Sequence, residues 1–310
     1  MNDFFTSTVL IATVASGVRL ATPYLLASLG ESFGQRSGVL NLGVDGVMLL
    51  GAFSAYYTVL RTNNLLLGVT AGVCIGFLMG VFYAFVTVNL RAKQGVSGIG
   101  IYLFGLGMSD LLFQKLVGTP RPIMPVSPLE IPIISQIPVV GEMLFQHSLI
   151  VYLAFLMVPI ATFVINRTTY GMNIRAIGEN PEAADSLGVS VAKIRYSTLI
   201  IGNSLAGLAG AALAIELGIF QQNLTNAMGF IAIALVYFGA WRPAGVMAGS
   251  LVFGMVASIV LQCKTLGIIP RGASDLAAMA PAIITVLALV FVASRFRQPT
   301  ALTKPYIRGE

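Results

Sequence analysis

Residues 65–90, LLLGVTAGVCIGFLMGVFYAFVTVNL, contain no charged side chain. A helix of this length rises about 1.5 Å per residue and so outspans a hydrocarbon core of about 30 Å. In lipid, every backbone N–H and C=O must be satisfied within the chain, and a helix does that with local bonds alone. Runs of the same kind recur. Spans are expected near 9–29, 39–60, 65–88, 98–117, 148–165, 196–216, 228–240, 243–262 and 276–294. The seventh is short enough to be re-entrant or broken, so eight to ten spans are expected. Composition agrees: 56% of residues are hydrophobic and 10% charged, against about 25% charged in a soluble domain. The fold class expected is an all-α polytopic bundle in a single transmembrane domain, residues 1–310.

The formal charge of +6 points to orientation in a bilayer rather than to nucleic acid, because the basic residues lie between the apolar runs. One set of connections holds Arg36, Arg91, Lys93, Arg167, Arg175, Lys193, Arg195, Arg242, Arg295, Arg297, Lys304 and Arg308. The opposite set holds Arg61, Arg121, Lys264 and Arg271. The first set is therefore expected in the cytoplasm, with MNDFFTST outside. The first apolar run lacks a basic leader and is long enough to remain as a span, so no cleavable signal is expected. Cys74 and Cys263 fall in apolar runs and are expected to be packed free thiols.

Small residues four apart line several runs: Gly72, Gly76 and Gly80; Gly202, Ala206, Gly210 and Ala214; Gly245 and Gly249. Such faces let membrane helices approach closely. Two stretches also match each other. LGESFGQRSGVLNLGVDGVMLLGAF begins at Leu29 and LGIFQQNLTNAMGFIAIALVYFGAW at Leu217. Both run from Leu-Gly to Gly-Ala-aromatic at equal spacing, Ser37 aligns with Thr225, and the charge rule gives the copies opposite directions. That pattern predicts a weak inverted repeat, with a substrate path between the halves.

Ionisable residues inside spans are costly and tend to be functional. Arg19, Asp45, Asp110, Lys115 and Glu216 are of this kind. Asn41 and Asp45 are four apart and are expected on one helix face. Two roles are open to them: lining a path, or forming a buried network with loop backbone and Arg19 or Arg36. Arg19 suits a counter-charge, and Lys115 can extend to the nearer surface. Glu216 and Asn223 flank the outer mouth, where a hydroxyl-rich substrate is expected. The connection 118–147 carries Pro120, Pro122, Pro125, Pro128, Pro132 and Pro138. It is either a cap over the bundle or a docking surface.

Several chemistries lack their parts. His147 is the only histidine, and no His/Cys/carboxylate cluster suits a metal. No serine has a nucleophile-elbow setting. No G-x-x-x-x-G-K-[ST] loop is present to hold ATP. An enzyme is not expected, and any ATP and magnesium belong on a partner.

The most basic connection, 166–195, contains GENPEAADSLGVS at 178–190. Asn180 suits an N-cap, Pro181 the first helical position, and Glu182 the positive end of the dipole. Gly188 suits the left-handed residue that ends a helix, and Ser190 can cap the next one. Leu187 and Val189 offer apolar contact, and Ala183 and Ala184 a flat small surface. The helix either rests on the bundle's own rim or fits a groove in a partner.

EAADSLG, Glu182 to Gly188, resembles the E-A-A-x-x-x-G motif of ABC-transporter permeases. YGMNIRAIGENPEAADSLGVSVAKIRY, GVLNLGVDGVMLLGAF and GFIAIALVYFGAWRPAGVMAGSLVFG look like signatures of the simple-sugar and purine-nucleoside import group within them. The resemblance covers roughly residues 18–292. It departs at Gln35-Arg36-Ser37-Gly38 (often Glu-Arg-Ser-Gly), at Asp45 (often Glu) and at Asn226-Ala227-Met228-Gly229 (a common Gly-Arg-Gly), and it lacks an Ile-x-Leu-Pro extension. The resemblance implies a multi-pass permease of a bacterial cytoplasmic (inner) membrane. Its implied partners are a cytoplasmic ABC ATPase, a second permease identical or different, and an extracytoplasmic binding protein or lipoprotein. It also implies that Asn180, Pro181, Glu182, Ala183, Ala184, Leu187 and Gly188 form the ATPase-coupling element. The rival readings are branched-chain amino acid import, or a secondary transporter in which Asp45 and Asp110 carry protons.

Overall fold

The computed structural model describes residues 7–124, 126–130, 140–270, 272, 276–277, 279–293 and 297–307. Every expected run holds a helix. They are α1 (Ser7–Arg36), α2 (Val44–Thr62), α3 (Leu65–Ala84, continued by a π turn Phe85–Asn89), α4 (Gln94–Leu116), α6 (Leu149–Arg167), α9 (Val191–Leu217), α10 (Met228–Phe238), α11 (Pro243–Thr265) and α12 (Ala280–Ala293). Short helices α5 (Val140–Leu144), α7 (Thr169–Glu179) and α8 (Pro181–Ser186) lie between them. Among the described residues, α1, α3 with its π turn, α4, α6, α9 and α11 are long and apolar enough to cross a membrane.

The centre is α9, embraced by α1, α2 and α3. The stripes of small residues set this contact. A Cβ on Gly30 would lie 2.5 Å from the carbonyl oxygen of Gly202, and one on Gly51 2.5 Å from that of Gly207. Backbones meet there with no side chain between them, which is how helices gain van der Waals contact when lipid gives no hydrophobic drive between them. The Gly245 and Gly249 face packs on the short helix α10, Gly245 on Gly239 and Gly249 on Phe238.

The inverted repeat is present. The order α1–turn–α2–α3–α4 recurs as α9–turn–α10–α11–α12. α9 packs on α3 in the first half, with Gly207 against Gly72 and Gly76. Correspondingly, α1 packs on α11 in the second, with Gly17 against Met255 and Gly254 against Gly17. α1 and α9 run antiparallel. Arg19 shares a recess with Glu216 at one end, and Ser37 bonds Thr198 at the other. The copies differ in length, 19 residues in α2 against 11 in α10. Gly51-Ala52-Phe53 therefore lies inside a helix, whereas Gly239-Ala240-Trp241 forms a turn with Ala240 at φ 52° and Trp241 at φ 56°. The aligned Ser37 and Thr225 also take different partners, Thr198 and Asp45.

Three expectations are corrected. α1 continues to Arg36, because the polar stretch after Leu29 is buried and internally bonded, with Gln35 Nε2 donating to Glu31 Oε1 at 3.1 Å. α2 begins at Val44, so Asn41 lies in a non-helical turn and shares no helix face with Asp45. Cys74 is exposed on α3, away from α9, while Cys263 is half-buried; both are free.

In the connection 118–147, β1 (Leu129–Glu130) pairs antiparallel with β2 (Gln146–His147). Tyr56 Oη donates to the Arg121 carbonyl at 2.8 Å, and Ile123 N–H to the Gly218 carbonyl at 2.8 Å. These bonds fasten the start of the connection over the ends of α2 and α9. Pro125, Pro132, Pro138, Arg271, Arg295, Arg308 and the first six residues lie outside the described residues.

Candidate functional site

Two broken helices meet in the interior. Segment 37–43 enters from the end where α9 starts, and segment 218–227 from the end where α9 finishes. α2 starts beside the middle of α4, with Gly43 against Ile101 and Gly46 against Tyr102 and Gly105. α10 starts at the same depth. Asp45 Oδ1 accepts the Gly229 N–H at 2.8 Å, and Oδ2 accepts the Thr225 hydroxyl at 3.1 Å. A fully buried carboxylate from the first turn of α2 thus caps the positive end of α10. Helix starts facing each other at mid-height, reached by unwound chain from both ends, are the construction expected of an inverted-repeat transporter.

Asn41 belongs to the same joint and is buried. Its Nδ2 donates to Asn203 Oδ1 at 2.9 Å, its Oδ1 accepts the Gly43 N–H at 2.8 Å, and its N–H donates to Glu31 Oε1 at 3.0 Å. The network runs on through Gln35, whose Oε1 accepts the indole N–H of Trp241 at 2.8 Å, while Arg36 Nε donates to the Trp241 carbonyl at 2.8 Å. Asn41 therefore bonds turn backbone and Asp45 the first turn of α10, with Asn203 and Thr225 as their side-chain partners instead of Arg19 or Arg36. The sequence reading assigns none of Glu31, Gln35, Asn203, Thr225 and Trp241 to this network. The spacing of four between Glu31 and Gln35 is a signal for it, masked by a polar stretch that reads as a loop.

The basic end carries the short capped helix. α7 lies directly on the end of α1, with Gly178 packed on the Arg36 carbonyl. Asn180 Oδ1 accepts the Ala183 N–H at 3.0 Å, Pro181 opens α8, and Glu182 sits exposed in its first turn. Gly188 ends the turn at φ +85°, and Ser190 Oγ accepts the Lys193 N–H at 3.4 Å. One face is anchored: Ala184 packs with Ile177 and Val191, and Val189 turns toward them. The other face is bare. Ala183, Leu187 and Gly188 are exposed, and Leu187 is 84% exposed.

At the opposite end a recess of about 180 Å³ lies between α1, α9 and α11, with Arg19, Ser16 and Glu216 as its polar walls. Arg19 Nη2 donates to Ser16 Oγ at 3.4 Å, and Ser148 Oγ donates to Glu216 Oε1 at 2.7 Å. Asn223 is exposed in the neighbouring unwound segment at φ 52°, outside this lining. His147 lies behind Ser148, its Nε2 bonded to the Met143 carbonyl at 3.0 Å and its Nδ1 buried without a partner among the described residues. Burial pushes its imidazole below the ordinary histidine range; the Arg19 charge acts in the same direction, and the Met143 bond and Glu216 oppose it. Asp110 Oδ1 is likewise buried without a partner among the described residues, and Lys115 is exposed at the end of α4.

An inverted-repeat bundle of membrane-length helices, with broken helices at its centre and a short capped helix at its basic end, has the build of a multi-pass membrane permease. The chain belongs to the family described as branched-chain amino acid transport system / permease component, whose model matches residues 13–293. It is similar to a provisionally named glucose ABC transporter permease of Haloferax volcanii, 37% identical over 81% of this chain and 77% of that one. It is 32% identical to a guanosine ABC transporter permease of Bacillus subtilis, over 94% of each chain. A nucleoside ABC transporter permease of Lactococcus lactis is also 32% identical, over 96% of this chain and 97% of that one. No solved structure matches it. The chain is an ABC-transporter permease subunit, and its part in transport is non-enzymatic.

Proposed function

We propose that this permease imports a nucleoside or simple sugar, driven by ATP and magnesium bound on a separate cytoplasmic ATPase. The relatives named for guanosine, nucleosides and glucose support this substrate class over a branched-chain amino acid. A second permease subunit completes the path, and an extracytoplasmic binding protein delivers the substrate. Asn180, Pro181, Glu182, Ala183, Ala184, Leu187 and Gly188 form the coupling element. The observation that carries this reading is Leu187, 84% exposed on the bare face of a turn anchored through Ala184. Asn41 and Asp45 hold the joint between the broken helices, and Arg19, Glu216 and Asn223 mark the outer mouth where a hydroxyl-rich substrate enters.

The test is Gly188→Asp in the full transporter. Gly188 at φ +85° has open space around it, so an aspartate meets no neighbour but strains the backbone and sets a charge beside Leu187. Assembly of the complex with ATP hydrolysis uncoupled from uptake is expected. Normal uptake by this variant would sink the coupling reading.

A further inference from the structure

Residues 297–307 pack against the basic end of the bundle. Ala301 and Leu302 are 4% and 5% exposed. Ala301 N–H donates to the Gly178 carbonyl at 2.8 Å, and Thr300 Oγ1 to Glu179 Oε2 at 2.9 Å, so the segment grips the junction of α7 and α8. Thr303 N–H donates to the Gly38 carbonyl at 3.2 Å, and Arg195 Nη1 to the Lys304 carbonyl at 3.3 Å. Leu302 packs with Trp241 and Val236, with Leu40 against the same cluster. Tyr306 packs against Ile177, Ala184 and Val191, the anchored side of α8.

One short stretch thus touches the coupling helix, the unwound segment 37–43 and the turn that ends α10. A helix of six residues is marginal alone, and α8 buries only Ala184. Held by that contact alone, it would yield locally when pushed. The segment 297–307 reinforces the same anchored side, through Tyr306 on the Ile177, Ala184 and Val191 cluster and through Ala301 and Thr300 at the junction of α7 and α8. From it, bonded contacts continue through Trp241, Gln35 and Glu31 to Asn41. We propose that residues 299–306 are a strap that fixes the coupling helix to the broken-helix joint, with Leu302 and Tyr306 as its positioning residues. Displacement of α8 then moves segment 37–43 as one body with it. The inference rests on the coupling reading above.

The experiment uses the complete transporter in proteoliposomes, comparing the parent with a chain ending at residue 296 and with Leu302→Ala, Leu302→Met and Leu187→Asp. The shortened chain is expected to assemble with its ATPase and hydrolyse ATP within about twofold of the parent, while uptake per ATP falls roughly tenfold, in the range of typical coupling energies. Leu302→Ala is expected to lose part of that coupling and Leu302→Met, which conserves volume, to keep it. Amide exchange should rise together over 37–43 and 178–190 in the shortened chain. Unchanged uptake per ATP, or loss of assembly in step with loss of uptake in both the shortened chain and Leu302→Ala, overturns the strap. Leu187→Asp separates the two ideas. If it abolishes uptake while the shortened chain transports normally, coupling stands and the strap fails. If Leu187→Asp transports normally, the coupling reading itself fails.

Discussion

Leu187→Ala offers a measurement in which the permease is its own control. Leu187 is 84% exposed and belongs to none of the apolar clusters, so its truncation should leave the permease's own stability within about 0.5 kcal/mol. The cost arises only if the side chain enters a groove on the ATPase. Full burial of a leucine is worth about 1.5–3 kcal/mol, and truncation to alanine forfeits most of it, about 2 kcal/mol. At 1.4 kcal/mol per decade this is roughly a 30-fold loss of affinity for each contact. The assay is titration of the purified permease in micelles with its cognate ATPase, alongside a thermal melt of each variant. An unchanged melt with a 10- to 100-fold weaker dissociation constant is expected. Binding within threefold of the parent, or a melt that falls as far as the affinity does, would refute the assignment of Leu187 as a contact point.

Asp45→Ala leaves the Gly229 N–H and the Thr225 hydroxyl without their acceptor in a buried joint, which costs about 3 kcal/mol. Asp45→Asn keeps an acceptor oxygen and loses the charge at the helix terminus, about 1 kcal/mol. Melts of the two variants in micelles should rank in that order, and equal melts would mean that the cap contributes little. His147 has its imidazole held below the ordinary value of 6.5 by burial. The folded state therefore favours the neutral ring, and the unfolded chain binds more protons as the solution is acidified. Its contribution is fully present above about pH 6.5 and is lost as the pH falls toward the depressed folded value. Between pH 7.5 and pH 5 the parent's melting temperature should drop further than that of His147→Gln, which cannot titrate. Equal drops would count against a buried neutral His147.

Much of the bundle was legible because lipid imposes a simple rule. Every long run without charge became a helix, since only a helix satisfies its backbone locally. The stripes at Gly72, Gly76, Gly80 and at Gly202, Ala206, Gly210 did mark close backbone contacts. The caps of α8 were legible for the same reason, because an N-cap, a first-position proline and a left-handed glycine act through neighbouring residues only.

The polar interior obeyed different physics. The stretch from Glu31 to Arg36 looks like a loop by composition, yet it is helical, with Gln35 bonded to Glu31 within the helix and Asn41 and Trp241 bonded to the same pair from outside it. Asn41 and Asp45 have helical spacing, yet the chain is unwound before Val44, since Asn203 lies 162 positions away from Asn41 and Gly229 lies 184 from Asp45. Neither spacing nor propensity encodes such partners. Sequence alone determined a polytopic helical bundle with opposed halves and a capped helix at its basic end. Tertiary structure alone decided that two helices break and meet head to head at Asp45, that Ala183, Leu187 and Gly188 stay exposed on the capped turn, and that residues 299–306 contact both the capped turn and segment 37–43. The division follows from range: local backbone satisfaction is written in consecutive residues, whereas buried polar groups are satisfied by whatever the fold brings to them.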